Sequence, residues 1–370
     1  MRNTSQYVCY VVNKNGIKNN LFSTLKTHIM YTNDQIYFCL NALSNISGEY
    51  NQNPDVVQLT QTAVNTVLQD KTGVIQGLIG NWVPVWGPVV NVFNGDAANT
   101  MFVAQNTTTK EYVVSIAGTN PSSFFDWLLE DALVGKKVYW NLLDHSCGCV
   151  SAGTDFGLTA LKLMKYNGQS VFNYLQSVNA KNITVTGHSL GGALSPVMAL
   201  FLSNNLKGAN VSCRPTAGAT PGDSDFATYW NGSVVGKNAN TVRVWNAIDV
   251  VPNAYEWDTM QNIPDLYLPN ITCPTSTASG IVTESNKLQP LDYTQLLKTT
   301  TTTFDLDVYN QGNPADPFMD QALYQHVAAY AVHFNIPAFQ NQVQNLLSLS
   351  APYFSAGTTV KQATATEALA

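Results

Sequence analysis

Residues 181–205, KNITVTGHSLGGALSPVMALFLSNN, constrain the chain more than any other stretch. Ile183 and Val185 read as a short buried strand, which stops at Gly187-His188-Ser189-Leu190-Gly191. A helical pattern then runs through Ala193, Leu194, Val197, Met198, Leu200 and Phe201. Strand, tight turn and helix together turn a bare G-x-S-x-G string into a nucleophile elbow. Such a turn holds its serine in a strained backbone conformation, and a Cβ two residues to either side would clash. Gly187 and Gly191 supply the missing atoms. The helix N-terminus also directs free amides and its positive dipole end at charge developing beside Ser189.

The rest of the chain alternates in the same way. Two adjacent strands are predicted over 100–105 and 111–116, another over 138–140, and another over 241–247. Helices are expected over 33–50, 55–69, 122–134, 155–176 and 321–334. Residues 74–93 are strongly apolar but broken by Gly77, Gly80, Pro84, Gly87 and Pro88, which rules out a long helix or a central strand. That segment is expected to be irregular core or the wall of a pocket. Residues 270–303, rich in Thr and Ser, read as a surface insertion. The pattern implies a mostly parallel central sheet with helices on both faces, the α/β class. Residues 30–356 read as a single domain. Residues 1–29 are expected to be an N-terminal extension, disordered or foreign to the domain, and 357–370 to be a frayed low-complexity tail.

In parallel sheets reactive groups gather at the carboxyl ends of the strands. Gly118-Thr119, Ser189 and Asp249 each follow a predicted strand. A serine hydroxyl needs a base within hydrogen-bond reach, and the base needs an orienting acid. On this architecture the chain order is serine, acid, histidine. Of five histidines, His28, His145 and His188 precede Asp249, which leaves His326 and His333. Asp249 is the preferred acid because it closes a β-rich segment, whereas Asp223, Asp225, Asp258 and Asp265 lie in loops.

Three further segments join the elbow: 111–131 (EYVVSIAGTNPSSFFDWLLED), 244–252 (VWNAIDVVP) and 325–330 (QHVAAY). With Gly187-His188-Ser189-Leu190-Gly191-Gly192 they resemble the class 3 lipase family, α/β-hydrolase lipases typified by fungal triacylglycerol lipases. The likeness runs over about residues 95–335. It implies that Ser189 is the nucleophile, Asp249 the orienting acid and His326 the base, since the family places its histidine shortly before a tyrosine, here Tyr330. It also implies an oxyanion hole from Thr119 and the N–H of Leu190, and a short lid for which Phe124, Phe125, Trp127, Leu128 and Leu129 are the candidates. Residues 74–93 or 270–303 are the alternative covers. No metal or organic cofactor belongs to this chemistry. The family commonly has Arg before the Gly-Thr pair where this chain has Ala117; the backbone donors do not need that side chain, but the local anchoring of the oxyanion loop does not follow from the resemblance.

The resemblance implies a carboxylester hydrolase, with triacylglycerol as first substrate and phospholipase A1 or feruloyl-type esterase activity as alternatives. A non-catalytic lipid-binding protein on the same fold is the rival from another class. The expected partner is a lipid or ester at a lipid–water interface. A net charge of −6 and a pI near 5.3 oppose nucleic-acid binding, which calls for a basic patch. No apolar run reaches membrane-spanning length. Cys147 and Cys149, near Asp144 and His145, are expected to form a reactive or merely structural loop rather than a metal corner. The run after Arg2 makes a poor signal peptide, while the implied substrate weakly favours an extracellular setting.

Overall fold

The computed structural model describes residues 30–118, 133–298, 301–304 and 316–348. Among the described residues the α-helices longer than one turn are, in chain order, α1 (Asn33–Ser44), α2 (Val56–Leu68), α3 (Val74–Ile79), α4 (Ala152–Leu163), α5 (Val171–Ser177), α6 (Leu190–Asn205), α7 (Ser224–Gly232), α8 (Thr275–Leu288), α9 (Pro317–His326), α10 (Ala328–Phe334) and α11 (Pro337–Leu347). The strands are β1 (Trp82–Phe93), β2 (Asp96–Asn106), β3 (Tyr112–Ile116), β4 (Lys137–Tyr139), β5 (Cys149–Ser151), β6 (Asn182–His188), β7 (Asn210–Thr216), β8 (Arg243–Asn246) and β9 (Thr301–Phe304).

Among the described residues, one sheet runs β1-β2-β3-β6-β7-β8-β9 and a two-stranded ribbon pairs β4 with β5. The five strands from β3 to β9 are mutually parallel, and the β1–β2 hairpin is antiparallel at one edge. This is the mostly parallel α/β architecture expected from the sequence.

Both faces are covered because the strands are apolar on both sides. On β2, Met101 and Val103 enter one core and Phe102 and Ala104 the other, as a period of two requires. The first core packs α4, α6 and α7 through Leu158, Leu194, Val197 and Trp230. The second packs α1, α2 and α11 through Leu40, Leu43, Val64, Val67 and Phe339. A third cluster (Val250, Met260, Tyr267, Ile281, Phe318) fills the excursion between β8 and β9.

Four segments differ from expectation. The end of the 74–93 stretch is not irregular core: it forms the edge strand β1, where Pro84 and Pro88 lie at register shifts against β2. Edge position tolerates the missing N–H groups, and Trp86 still reaches the core. The helix expected over 155–176 is two helices, because Asn167 and Gly168 both take positive φ in a tight turn closed by Tyr166 and Gln169. Residues 270–303 contribute α8, whose Ile281 and Leu288 are buried, and lead into β9. The helix over 321–334 breaks at Val327 (φ −116°, ψ −67°). The expected helix at 122–134, with all five lid candidates, lies almost wholly outside the described residues, as do Thr119, the 1–29 extension and the tail.

Candidate active site

The parallel register decides which residues can meet. Ile116 on β3 pairs with Gly187, and His188 pairs with Thr216, which pairs with Val244. The exits toward Gly118, Ser189 and Asp249 therefore open on one edge of the sheet.

Ser189 leaves β6 at φ 61° and ψ −124°, a left-sided conformation that L-residues adopt only under constraint. Its N–H donates to Thr216 O at 3.1 Å, and its carbonyl accepts from Ala193 N at 3.0 Å. The turn closes so tightly that a Cβ on Gly187 would lie 2.0 Å from Gly191 O, and one on Gly191 would lie 2.2 Å from Ile116 O. The glycines two residues either side of the serine are thus required by the backbone. Leu190 begins α6, so its N–H belongs to the unsatisfied first turn of a 16-residue helix.

Asp249 sits three residues beyond β8 and is fully buried. Its carboxylate faces His326 Nδ1, at 2.9 Å from Oδ2 and 3.1 Å from Oδ1. Val251 N–H donates to Oδ1 at 3.0 Å and the Tyr330 hydroxyl to Oδ2 at 2.9 Å. With Nδ1–H given to Asp249, Nε2 is the basic nitrogen of the neutral His326 ring. His326 ends α9, and Asn246 Nδ2 ties that helix end to β8 through Gln325 O and Oε1, at 3.1 and 2.7 Å. Burial, then the Asp249 charge, push the Tyr330 phenol pKa well above its ordinary value, so it remains a donor.

His188 lies within the elbow but faces away from a nucleophile's role. Its ring packs 4.9 Å from those of His326 and Tyr330. Nε2 is 2.8 Å from His326 O, and Nδ1 is 3.1 Å from Thr216 Oγ1. Since a carbonyl only accepts, Nε2 carries the proton, while Nδ1 faces a Thr216 hydroxyl that also lies 3.1 Å from Gly187 O, its acceptor. Burial first, and the His326 ring second, hold its pKa well below the usual histidine value.

The structure brings Asp249 and His326 together and joins His188 of the elbow to the same histidine. His333 is set aside: it is exposed and stacks on Phe304 at 3.9 Å between ring centroids. His145 stacks on Tyr139 at 3.8 Å, and Cys147 and Cys149 are free thiols. Among the described residues no group of three or more His, Cys, Asp or Glu could hold a metal ion.

A cavity of about 220 Å³ opens beside the elbow, walled by Leu190, Ala193, Gly157, Leu133, Ala219 and Tyr255 among others. Neither 74–93 nor 270–303 contributes to it. A wider groove of about 720 Å³ along α2 is lined by amides and hydroxyls such as Gln61 and Asn65, and holds none of these side chains.

Sequence reasoning missed two residues. Asn41 Nδ2 donates to Ile116 O at 2.9 Å, and Asn45 Oδ1 accepts from Gly118 N at 2.8 Å. A signal existed: both amides sit one helical turn apart among Leu40, Leu43 and Ile46, where an apolar face leaves polar side chains unexplained.

Residues 113–258 match the family model described as lipase (class 3). Among solved structures the chain is similar to M37 lipase, with 25% identity over 85% of this chain and 99% of that one and a TM-score of 0.71. A lipase from Rhizopus microsporus var. chinensis is 20% identical over 60% of this chain and 70% of that one (TM-score 0.41). A triacylglycerol lipase from Penicillium expansum is 14% identical over 67% and 79% (TM-score 0.40). No curated protein matches the sequence significantly.

Proposed function

We propose that this chain, whose residues 113–258 match the class 3 lipase family model, is a serine carboxylester hydrolase whose preferred substrate is a triacylglycerol. The observation that carries the reading is the buried Asp249–His326 pair, 2.9 Å from Oδ2 to Nδ1, set at the sheet edge where Ser189 holds its positive φ.

In this reading Ser189 Oγ attacks the ester carbonyl carbon while His326 Nε2 takes its proton. Asp249 stabilises the imidazolium that forms and keeps Nδ1 as the donor. The N–H of Leu190 and residue Thr119 hold the oxyanion. Collapse breaks the ester C–O bond, and the alcohol leaves with the proton from His326. A water molecule then repeats the two steps on the acyl-enzyme and frees the fatty acid and Ser189. The mostly apolar cavity at Leu190 and Ala193 suits an acyl chain rather than a polar acid.

A fluorophosphonate probe tests the nucleophile: it labels the wild type with one equivalent and leaves Ser189→Ala untouched. Labelling that survives in Ser189→Ala rejects the assignment. Rates on emulsified triolein, a phosphatidylcholine and a soluble feruloyl ester test the substrate. Triolein turned over fastest supports the proposal, and either of the others overturns the substrate class while leaving the chemistry.

A further inference from the structure

The strand that precedes Thr119 must stop at a fixed distance from Ser189 if residue 119 is to help hold an oxyanion. Ala117 cannot fix it, since its side chain is a buried methyl group. The last turn of α1 lies against this exit. Ser115 Oγ donates to Leu40 O at 3.1 Å, Asn41 Nδ2 to Ile116 O at 2.9 Å, and Gly118 N to Asn45 Oδ1 at 2.8 Å. From the other side, Ala117 N donates to Thr100 O at 2.9 Å.

Gly118 in turn touches the elbow. A Cβ built on it would lie 2.9 Å from His188 O and 3.0 Å from Ser189 Cβ, with Asn45 Oδ1 itself at 3.7 Å. Strand exit, serine and amide are therefore in direct contact, with no room for the exit to move toward the serine. Asn45 is only 8% exposed and Asn41 1%. A leucine would fill such sites at lower desolvation cost, so two buried amides aimed at consecutive backbone groups suit a role in position rather than bulk.

We propose that Asn45 is a positioning residue for the oxyanion side of the site, its side-chain carbonyl fixing the Gly118 backbone against Ser189. The inference rests on the serine hydrolase reading and adds to it a helix that lies outside the family-matched region. Asn45 acts through Gly118 and touches no reacting atom.

The test compares wild type, Asn45→Leu, Asn45→Asp and Ser189→Ala on p-nitrophenyl butyrate, with fluorophosphonate labelling and thermal midpoints recorded for each. Asn45→Leu loses the acceptor, and its kcat is expected to fall roughly ten- to a hundredfold while KM stays within about twofold, the signature of a displaced transition-state contact. It should still take one equivalent of label. Asn45→Asp keeps an acceptor oxygen and should recover most of the lost kcat. If Asn45→Leu does not accumulate folded, Asn45→Ser, whose oxygen falls short of Gly118, takes its place. A folded Asn45→Leu or Asn45→Ser with wild-type kcat overturns the proposal, as does an Asn45→Asp no faster than the leucine variant. Failure of the underlying reading looks different: wild type and Ser189→Ala would then label and hydrolyse alike.

Discussion

The Tyr330 hydroxyl donates to Asp249 Oδ2 at 2.9 Å, on the same oxygen that lies 2.9 Å from His326 Nδ1. That hydroxyl also accepts from Asn246 N at 2.9 Å, so one phenol joins the end of β8 to the acid beyond it. Removing it leaves a buried N–H without its acceptor and a buried carboxylate with one donor fewer. Tyr330→Phe is expected to lose about 1–3 kcal/mol of stability in urea titration. Its kcat should fall by less than that of an Asp249 variant. A Tyr330→Phe with unchanged midpoint and kcat would sink this account.

Asp249→Asn tests the orienting acid directly. With its oxygen kept on the Val251 N–H, an asparagine amide presents its NH2 to His326 Nδ1, which turns the ring toward the wrong tautomer while preserving shape. The expected loss is roughly 10⁴ in kcat with KM little changed. A drop of less than about tenfold would mean that another group orients the imidazole.

His188 makes stability pH-dependent in a defined window. Its folded pKa is depressed by burial, so the unfolded chain binds the proton first. The stability this residue contributes is complete above about pH 6.5 and is lost as pH falls below it, by about 1.4 kcal/mol per pH unit. Urea midpoints of wild type and His188→Gln, measured from pH 7.5 to 5, should converge as pH falls. Parallel curves would show that His188 titrates normally in the folded state.

Gly191→Ala places a methyl group 2.2 Å from Ile116 O, where neither partner is a flexible side chain. The backbone of the elbow or of β3 has to move, at a cost of about 3 kcal/mol. Thermal unfolding reads this, and fluorophosphonate labelling should slow with it. A variant as stable and as reactive as wild type would contradict the described turn.

What the chain alone determined was local. The elbow was readable because strand, glycine spacing and helix are contiguous, and a backbone turn that sharp leaves few residue choices. The apolar strands fixed the α/β class for the same reason. Even Asp249 was legible, as a carboxylate following a strand.

What only tertiary structure decided lies between segments distant in sequence. His326 and His333 are seven positions apart in one patterned stretch, and the break at Val327 sends one to Asp249 and the other to Phe304. Periodicity carries no information about where such a break falls. Asn45 reaches Gly118 across 73 positions, and His188 reaches His326 across 138. Such contacts come from the order in which strands join the sheet, and from which helix ends on which edge. Local propensity does not encode that choice; it is settled by burying both faces of the sheet at once.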